Sequence, residues 1–317
     1  MNLSYFMQPV HPLNRNYQEI LDEDIESVIL ADELGYCEAF FGEHFTDLAE
    51  PITSSLMFIA RLAPVTKTIK LGSGVTNLPS YHPAMIAGHV AMMDNMLDGR
   101  FIWGIGPGGL PSDIEIFGNR EVDRNMKMVE CFDQVMQLWW GKPPYNLKGD
   151  FYTGSTEITF TPEIGQGIVP KPLHNPHPPV VVSALAPYSQ GITLAAERDW
   201  HPISCQYVQS HWVKTHLPKY LEGLSNAGKE PNPTGWRVAK CIFVADEELT
   251  ARRYAKSADG PYGLYFCNLM KKLSGGGRLG LFGAYPDQPE EQITLEQSLE
   301  TQVIAGTPDS VAEQILA

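Results

Sequence analysis

The segment Phe41-Gly42-Glu43-His44-Phe45 sets a carboxylate beside an imidazole. A histidine takes or gives a proton near neutral pH, and a neighbouring carboxylate can orient or tune it. The same pair can equally be plain hydrogen-bonded structure. A second segment runs Leu71-Gly72-Ser73-Gly74-Val75-Thr76-Asn77-Leu78-Pro79 and on to Tyr81-His82-Pro83. Two glycines in such a stretch mark a bulge or a close approach of backbone to ligand, or else relief against a neighbouring helix. The third is Asp98-Gly99-Arg100-Phe101-Ile102-Trp103-Gly104-Ile105-Gly106-Pro107-Gly108-Gly109. Its glycines bare the backbone amides, which suits a phosphate or a flat ring, although the spacing is not the dinucleotide fingerprint. Arg124 could reach an anion there, or simply be exposed. The fourth, Val182-Ser183-Ala184-Leu185-Ala186, leads small residues toward a helix N-terminus, another anion cradle. The remaining histidines form no HxH or HExxH pair, so no metal is expected. Neither a GxSxG elbow nor a P-loop is present.

These segments need elements to carry them. Short apolar runs alternate with amphipathic stretches. Strands are expected at Leu3–Met7, Ala39–Gly42, Ile69–Thr76, Phe101–Ile105, Val180–Ser183, Pro202–Cys205 and Arg237–Ala245. Helices are expected at Glu19–Leu34, Ser54–Ala63, Pro83–Leu97, Asp123–Trp140, Gln190–Arg198, Gln209–Asn226 and Glu247–Ser257, with a last one opened by Thr307-Pro308-Asp309. Repeated strand–helix units imply parallel crossovers. Strands 3 and 4 start at Ile69 and Phe101, the spacing of one (β/α)8 barrel unit. A doubly wound sheet would want a glycine fingerprint after the first strand, where Gln8-Pro9-Val10-His11-Pro12 stands instead. The reading is one α/β domain over 1–317, a TIM barrel, with excursions at about 142–179 and 261–301 after strands 4 and 7. All four segments fall at C-terminal strand ends, the face on which such barrels build active sites.

Composition narrows the partners. With 23 Lys+Arg against 37 Asp+Glu the formal charge is −14, which disfavours nucleic acid and anionic membranes but not a small anion. No apolar run approaches a membrane span, and Met1-Asn2-Leu3-Ser4 does not open a signal peptide. Five widely spaced cysteines without a CxxC pair suit free thiols. A cytoplasmic location is expected.

Taken in order, the segments resemble the bacterial luciferase-like flavin monooxygenases. The match is carried by Phe41-Gly42-Glu43-His44-Phe45-Thr46, by Leu71-Gly72-Ser73-Gly74-Val75 with Leu78-Pro79 and His82-Pro83, by Asp98-Gly99-Arg100-Phe101 with Gly104-Ile105-Gly106, and by Ile304-Ala305-Gly306-Thr307-Pro308-Asp309. Gly106-Pro107-Gly108-Gly109-Leu110-Pro111-Ser112-Asp113 and Leu194-Ala195-Ala196-Glu197-Arg198 look most like the limonene and diketocamphane subgroup. The resemblance implies a two-component monooxygenase. A separate flavin reductase supplies reduced FMN, O2 reacts to give a flavin peroxide, and a small apolar carbonyl or terpenoid substrate is oxygenated. By position, His44 matches the active-site histidine, and Glu43 and Val75 match residues beside the flavin ring. Gly74–Val75 matches a non-prolyl cis peptide, and Gly106 lies in the glycine block. Arg124 and the amides near Ser183 and Ala184 match phosphate-binding positions, and Pro107 stands where luciferases carry an arginine. A homodimer follows by family analogy. Phe6, Met7, Phe45 and Trp103 are candidates for an apolar wall.

Two rival readings follow from the same residues. One is an F420-dependent oxidoreductase, which transfers hydride on the same barrel. The other is a flavin-binding protein without catalysis, favoured by a strand count of seven. The family places an eighth strand and helix after the Gly-Thr-Pro motif, so the chain is expected to be truncated, lacking its eighth strand–helix unit.

Overall fold

The computed structural model describes residues 2–316; the terminal residues Met1 and Ala317 lie outside them. The chain folds as two units, Met1–Val182 and Ser183–Ala317.

The first unit is built on parallel strands β1 (Ser4–Met7), β2 (Glu38–Phe41), β3 (Lys70–Ser73) with its continuation β4 (Thr76–Asn77), β5 (Phe101–Gly106), and the first residues of β8 (Val180–Ala184). Helices α1 (Tyr17–Glu33), α2 (Ser55–Leu62), α3 (Pro83–Met96), the short α4 (Pro111–Ile116) and α5 (Arg124–Trp140) intervene, and a small antiparallel hairpin, β6 (Asn146–Lys148) with β7 (Thr153–Ser155), occupies the excursion before β8. The helix starts are written in the sequence: Asn16, Ser54, His82 and Asp123 each accept a backbone N–H of the first turn. His82 is thereby accounted for as a cap. The core lies between strands and helices, where Phe40, Phe41, Phe101, Trp103 and Trp139 are fully buried. Trp103 stacks on Phe132 of α5 with centroids 5.3 Å apart. It therefore faces the helices and corrects the expectation that it lines a substrate pocket.

One departure from regular strand shapes the site. Gly72 pairs with Ile102, but Thr76 pairs with Ile105, so four steps on one strand match three on the other. The extra residue is a bulge across Ser73-Gly74-Val75, which re-aims the chain at the strand end. The Gly74–Val75 bond inside it is cis. Ser73 Oγ pins the bulge by donating to Gly104 O and accepting from Gly104 N–H, at 2.8 and 2.9 Å. Only glycine fits at 104, because a Cβ there would lie 1.7 Å from Ser73 O.

The second unit carries α6 (Gln190–Glu197), β9 (His201–Ser204), α7 (Ser210–Val213), α8 (His216–Asn226), β10 (Arg237–Val238), β11 (Cys241–Val244), α9 (Glu248–Ala255), α10 (Pro261–Ser274), α11 (Leu295–Gln302), β12 (Val303–Gly306) and α12 (Pro308–Leu316). The strand expected at Arg237–Ala245 is interrupted because it changes neighbour, β10 pairing with β9 and β11 with β12. The second excursion is largely helical. Its end adds a short strand outside the seven expected: Val303–Gly306 pairs in parallel with Cys241–Val244 in a two-stranded sheet of their own, and α12 follows it. β12 precedes Thr307-Pro308 and lies outside the sheet that holds β1, so it is not the strand expected after that motif. It escaped notice because Val303 is both the C-cap of α11 and the first strand residue, so no turn residues separate the two elements.

Among the described residues no helix is long and apolar enough to cross a membrane.

Candidate functional site

Four of the expected residues meet through the ends of β2, β4 and β5. Gly74 N–H donates to Phe41 O at 2.6 Å, and Asn77 N–H donates to Glu43 Oε1 at 2.9 Å. Asn77 in turn pairs with Gly106. Glu43, Gly74, Val75 and Gly106 thus share one end of the sheet. Arg124, the first residue of α5, reaches back so that Nη1 donates to Gly108 O at 2.5 Å, which fixes its guanidinium against the glycine segment. Ser183 and Ala184 belong to the second unit. Ala184 is buried there in a cluster with Ile192, Ala196, Tyr220 and Leu224, and its carbonyl accepts from Cys205 N–H at 3.2 Å.

Glu43 is a buried brace. Its Oε2 accepts from Ser55 N–H at 3.0 Å and Ser55 Oγ at 2.8 Å; its Oε1 accepts from Asn77 N–H and, at 3.2 Å, from the Tyr81 hydroxyl. Burial pushes the carboxyl above its ordinary range, against the pull of those donors. The side chain ties the end of β2 to the start of α2 and to β4. A small open cleft beside it is lined by Glu43, Phe45, Asn77, Tyr81, Asp113 and Phe117.

His44 is held differently. Its Nδ1 lies 2.5 Å from Oε2 of Glu50, whose side chain is 4% exposed against 19% for the histidine. The segment between them closes on itself, with His44 N–H donating to Ile52 O at 3.0 Å and Glu50 N–H to Asp47 O at 3.2 Å. Asp113 of α4 clamps the next two residues, accepting from Phe45 N–H at 2.9 Å and Thr46 N–H at 2.8 Å. Glu50 did not stand out in the sequence, and Asp113 entered only as the end of a matched segment, without this role. The first sits in a loop without periodicity, and the second is 67 positions or more from the residues it holds.

The atoms of His44, Asp47 and Glu50 lie within 4.8 Å of one another, a grouping that could be taken for a metal centre. The 2.5 Å separation argues for a hydrogen bond instead, since two ligands about 2.1 Å from one ion at tetrahedral angles sit more than about 3 Å apart. A second histidine–carboxylate pair joins His11 Nε2 to Asp24 at 3.1 Å, and burial raises Asp24 to about 6 despite the imidazole. His174 is anchored by Nδ1 to the buried Asp94 at 2.8 Å.

The model of the luciferase-like monooxygenases matches residues 1–317. The chain belongs to that family. Limonene 1,2-monooxygenase of Rhodococcus erythropolis is 29% identical over 313 residues, covering 98% of this chain and 75% of the relative. Among solved structures, the oxygenating constituent of 3,6-diketocamphane monooxygenase from the CAM plasmid of Pseudomonas putida, a type II Baeyer–Villiger monooxygenase in complex with FMN, superposes with a TM-score of 0.87 at 24% identity, covering 99% of this chain and 87% of that one. A coenzyme F420-dependent tetrahydromethanopterin reductase from Methanopyrus kandleri reaches 0.64 at 20% identity over 99% of this chain and 89% of its own. The family fold is the expected TIM-barrel class, with parallel α/β architecture. The diketocamphane enzyme shares it more fully than the F420-dependent one.

Proposed function

We propose that the chain is the oxygenating component of a two-component flavin monooxygenase, which takes reduced FMN from a separate reductase and O2 to place one oxygen atom in a small apolar carbonyl or terpenoid compound. The observation that carries the reading is the imidazole of His44, locked by a buried carboxylate at the strand ends beside glycine-rich backbone and an anchored guanidinium. A ring lying on bare backbone and a phosphate on an arginine are what FMN requires, so these residues fit it. The backbone at Gly108 leaves the approach open: a Cβ there would meet nothing nearer than Asn77 at 3.7 Å. When bound and reduced, the flavin supplies the electrons with which O2 is activated.

The chain's own residues then have separable tasks. Arg124 offers charge and a planar fork to the phosphate. In the second unit, Ser183 and the Ala184 amide are the corresponding anion candidates. Glu43 shapes the bulge through Asn77, which sets where Gly74 and Val75 present their backbone. With Nδ1 engaged by Glu50, the basic nitrogen of the neutral His44 ring is Nε2, where a proton can be held or passed to the reacting oxygen. Relatives acting on limonene and diketocamphane support an apolar substrate.

The test mixes protein, photochemically reduced FMN, O2 and a panel of cyclic ketones and limonene. An oxygenated product is expected; peroxide release without product overturns the reading. The F420-dependent alternative, favoured by the shared fold, is judged by thermal unfolding. Reduced FMN at 100 times its Kd stabilises the protein by roughly 2.7 kcal/mol, whereas protection by F420 alone would support the alternative.

A further inference from the structure

Glu50 stands in no sequence motif, yet its geometry is that of a group acting on the histidine. It is one of the few carboxylates of the first unit withdrawn from solvent, and a carboxylate so buried needs compensation by charge or hydrogen bonds. It sits 2.5 Å from Nδ1, well within reach of a charge-assisted hydrogen bond. The loop that carries both groups is immobilised from three sides. His11 N–H donates to Ala49 O at 2.8 Å, the Tyr17 hydroxyl donates to Pro51 O at 2.8 Å, and Asp113 holds Phe45 and Thr46. Loop closure alone is already provided by the backbone bonds His44–Ile52 and Glu50–Asp47. The buried carboxylate is therefore more than the loop needs to close.

We propose that Glu50 is the positioning residue of the reaction, its carboxylate accepting the Nδ1 proton of His44 so that the ring is fixed in one tautomer and orientation with Nε2 as the proton-exchanging nitrogen. The proposal deepens the monooxygenase reading and rests on it. A bonded second nitrogen selects the tautomer of a functional imidazole, and the partner acts through the histidine without touching substrate. Glu43, the sequence neighbour of His44, does not do this work, because its oxygens are engaged by Ser55, Asn77 and Tyr81.

The experiment reads the tautomer directly. In ¹⁵N-histidine-labelled protein without flavin, the His44 signals are assigned by their loss in His44→Gln. The neutral ring is expected to be protonated at Nδ1; a ring protonated at Nε2 overturns the proposal. Glu50→Leu is expected to release the ring to mixed tautomers, and Glu50→Gln, which keeps an acceptor of the same reach, to restore the Nδ1–H form. An unchanged tautomer in Glu50→Leu, or one that Glu50→Gln leaves unrestored, sinks it. With reduced FMN, O2 and an oxygenated substrate in hand, Glu50→Leu should form product about 10–100-fold more slowly with substrate KM within about twofold. The double variant with His44→Ala should lose no more than His44→Ala alone; additive losses count against the assignment. Failure of the wild-type protein to oxygenate any compound defeats the monooxygenase reading, whereas the tautomer of the flavin-free protein judges Glu50 separately.

Discussion

Two carboxylates guard the two ends of the third strand, and each accepts four hydrogen bonds. At the N-terminal end Asp32 of α1 takes the N–H groups of Lys67, Thr68 and Ile69 and the Thr68 hydroxyl, at 2.6 to 3.0 Å. At the C-terminal end Glu43 takes two N–H groups and two hydroxyls. Their acidities nevertheless move in opposite directions. For Asp32 the upward push of partial burial is outweighed by the donors, which hold it at about 2. For Glu43 complete burial outweighs a similar set of donors and raises it. The count of hydrogen bonds is matched, so water access decides the sign. The N-terminal end is an ordinary capped turn near solvent. The C-terminal end is dry and held by groups that lose much if any partner is removed, which is the condition a reaction sensitive to water needs.

The largest break in this comparison should come from the glycines beside the two ends. Gly104→Ala places a methyl carbon 1.7 Å from Ser73 O, against backbone that cannot give way. Loss of more than about 4 kcal/mol, or failure to fold, is expected in urea unfolding. Gly99, before β5, has φ +80° and a Cβ there would approach nothing nearer than His174 at 3.5 Å. Gly99→Ala therefore carries only the left-handed backbone cost, about 1 kcal/mol. Equal costs would contradict the tighter construction of the C-terminal end.

Truncating the carboxylates themselves comes next. Glu43→Ala leaves Ser55, Asn77 and Tyr81 with buried donors facing no acceptor, and about 3–5 kcal/mol should be lost. Asp32→Ala opens its amides to water, which replaces the lost acceptor, for a cost of about 1–2 kcal/mol. Urea midpoints at neutral pH measure both. A larger loss at Asp32 would reverse the argument about water access.

How much of this could be read from the chain follows the range of the interactions. The first five barrel strands and their helices are set by local apolar period and caps, so Ser54 and Asp123 marked their helix starts, while the first helix was placed from Glu19 and its cap Asn16 was not read. The bulge at Ser73–Val75 was legible as two glycines, but not its pinning by Ser73 Oγ on Gly104, a contact between strands. β12 was missed because a helix runs straight into it. His44 was legible by resemblance, whereas its partner Glu50 lies in a loop fixed by His11, Tyr17 and Asp113, each from another element. A position held by distant groups leaves no mark in local spacing.

The smallest effect is also the sharpest form of the comparison, because it depends on sign. Asp32 has a folded acidity below its unfolded one, so its stabilisation is complete above the ordinary carboxylate range and disappears as pH falls from about 3.8 through about 2. The stability gap between wild type and Asp32→Asn should thus be constant near neutrality and close over that acid window. It should amount to about 1–2 kcal/mol once discounted for solvent access. Glu43 is raised, so its protonated form is the one the fold favours. Its contribution is complete below the ordinary carboxylate range and diminishes as pH rises beyond it. The gap between wild type and Glu43→Gln should therefore shrink in the opposite direction, toward higher pH. Urea unfolding of the three proteins across pH 2–8 checks both slopes. Slopes of the same sign would mean that water reaches Glu43 and that the C-terminal end of the strand is not dry.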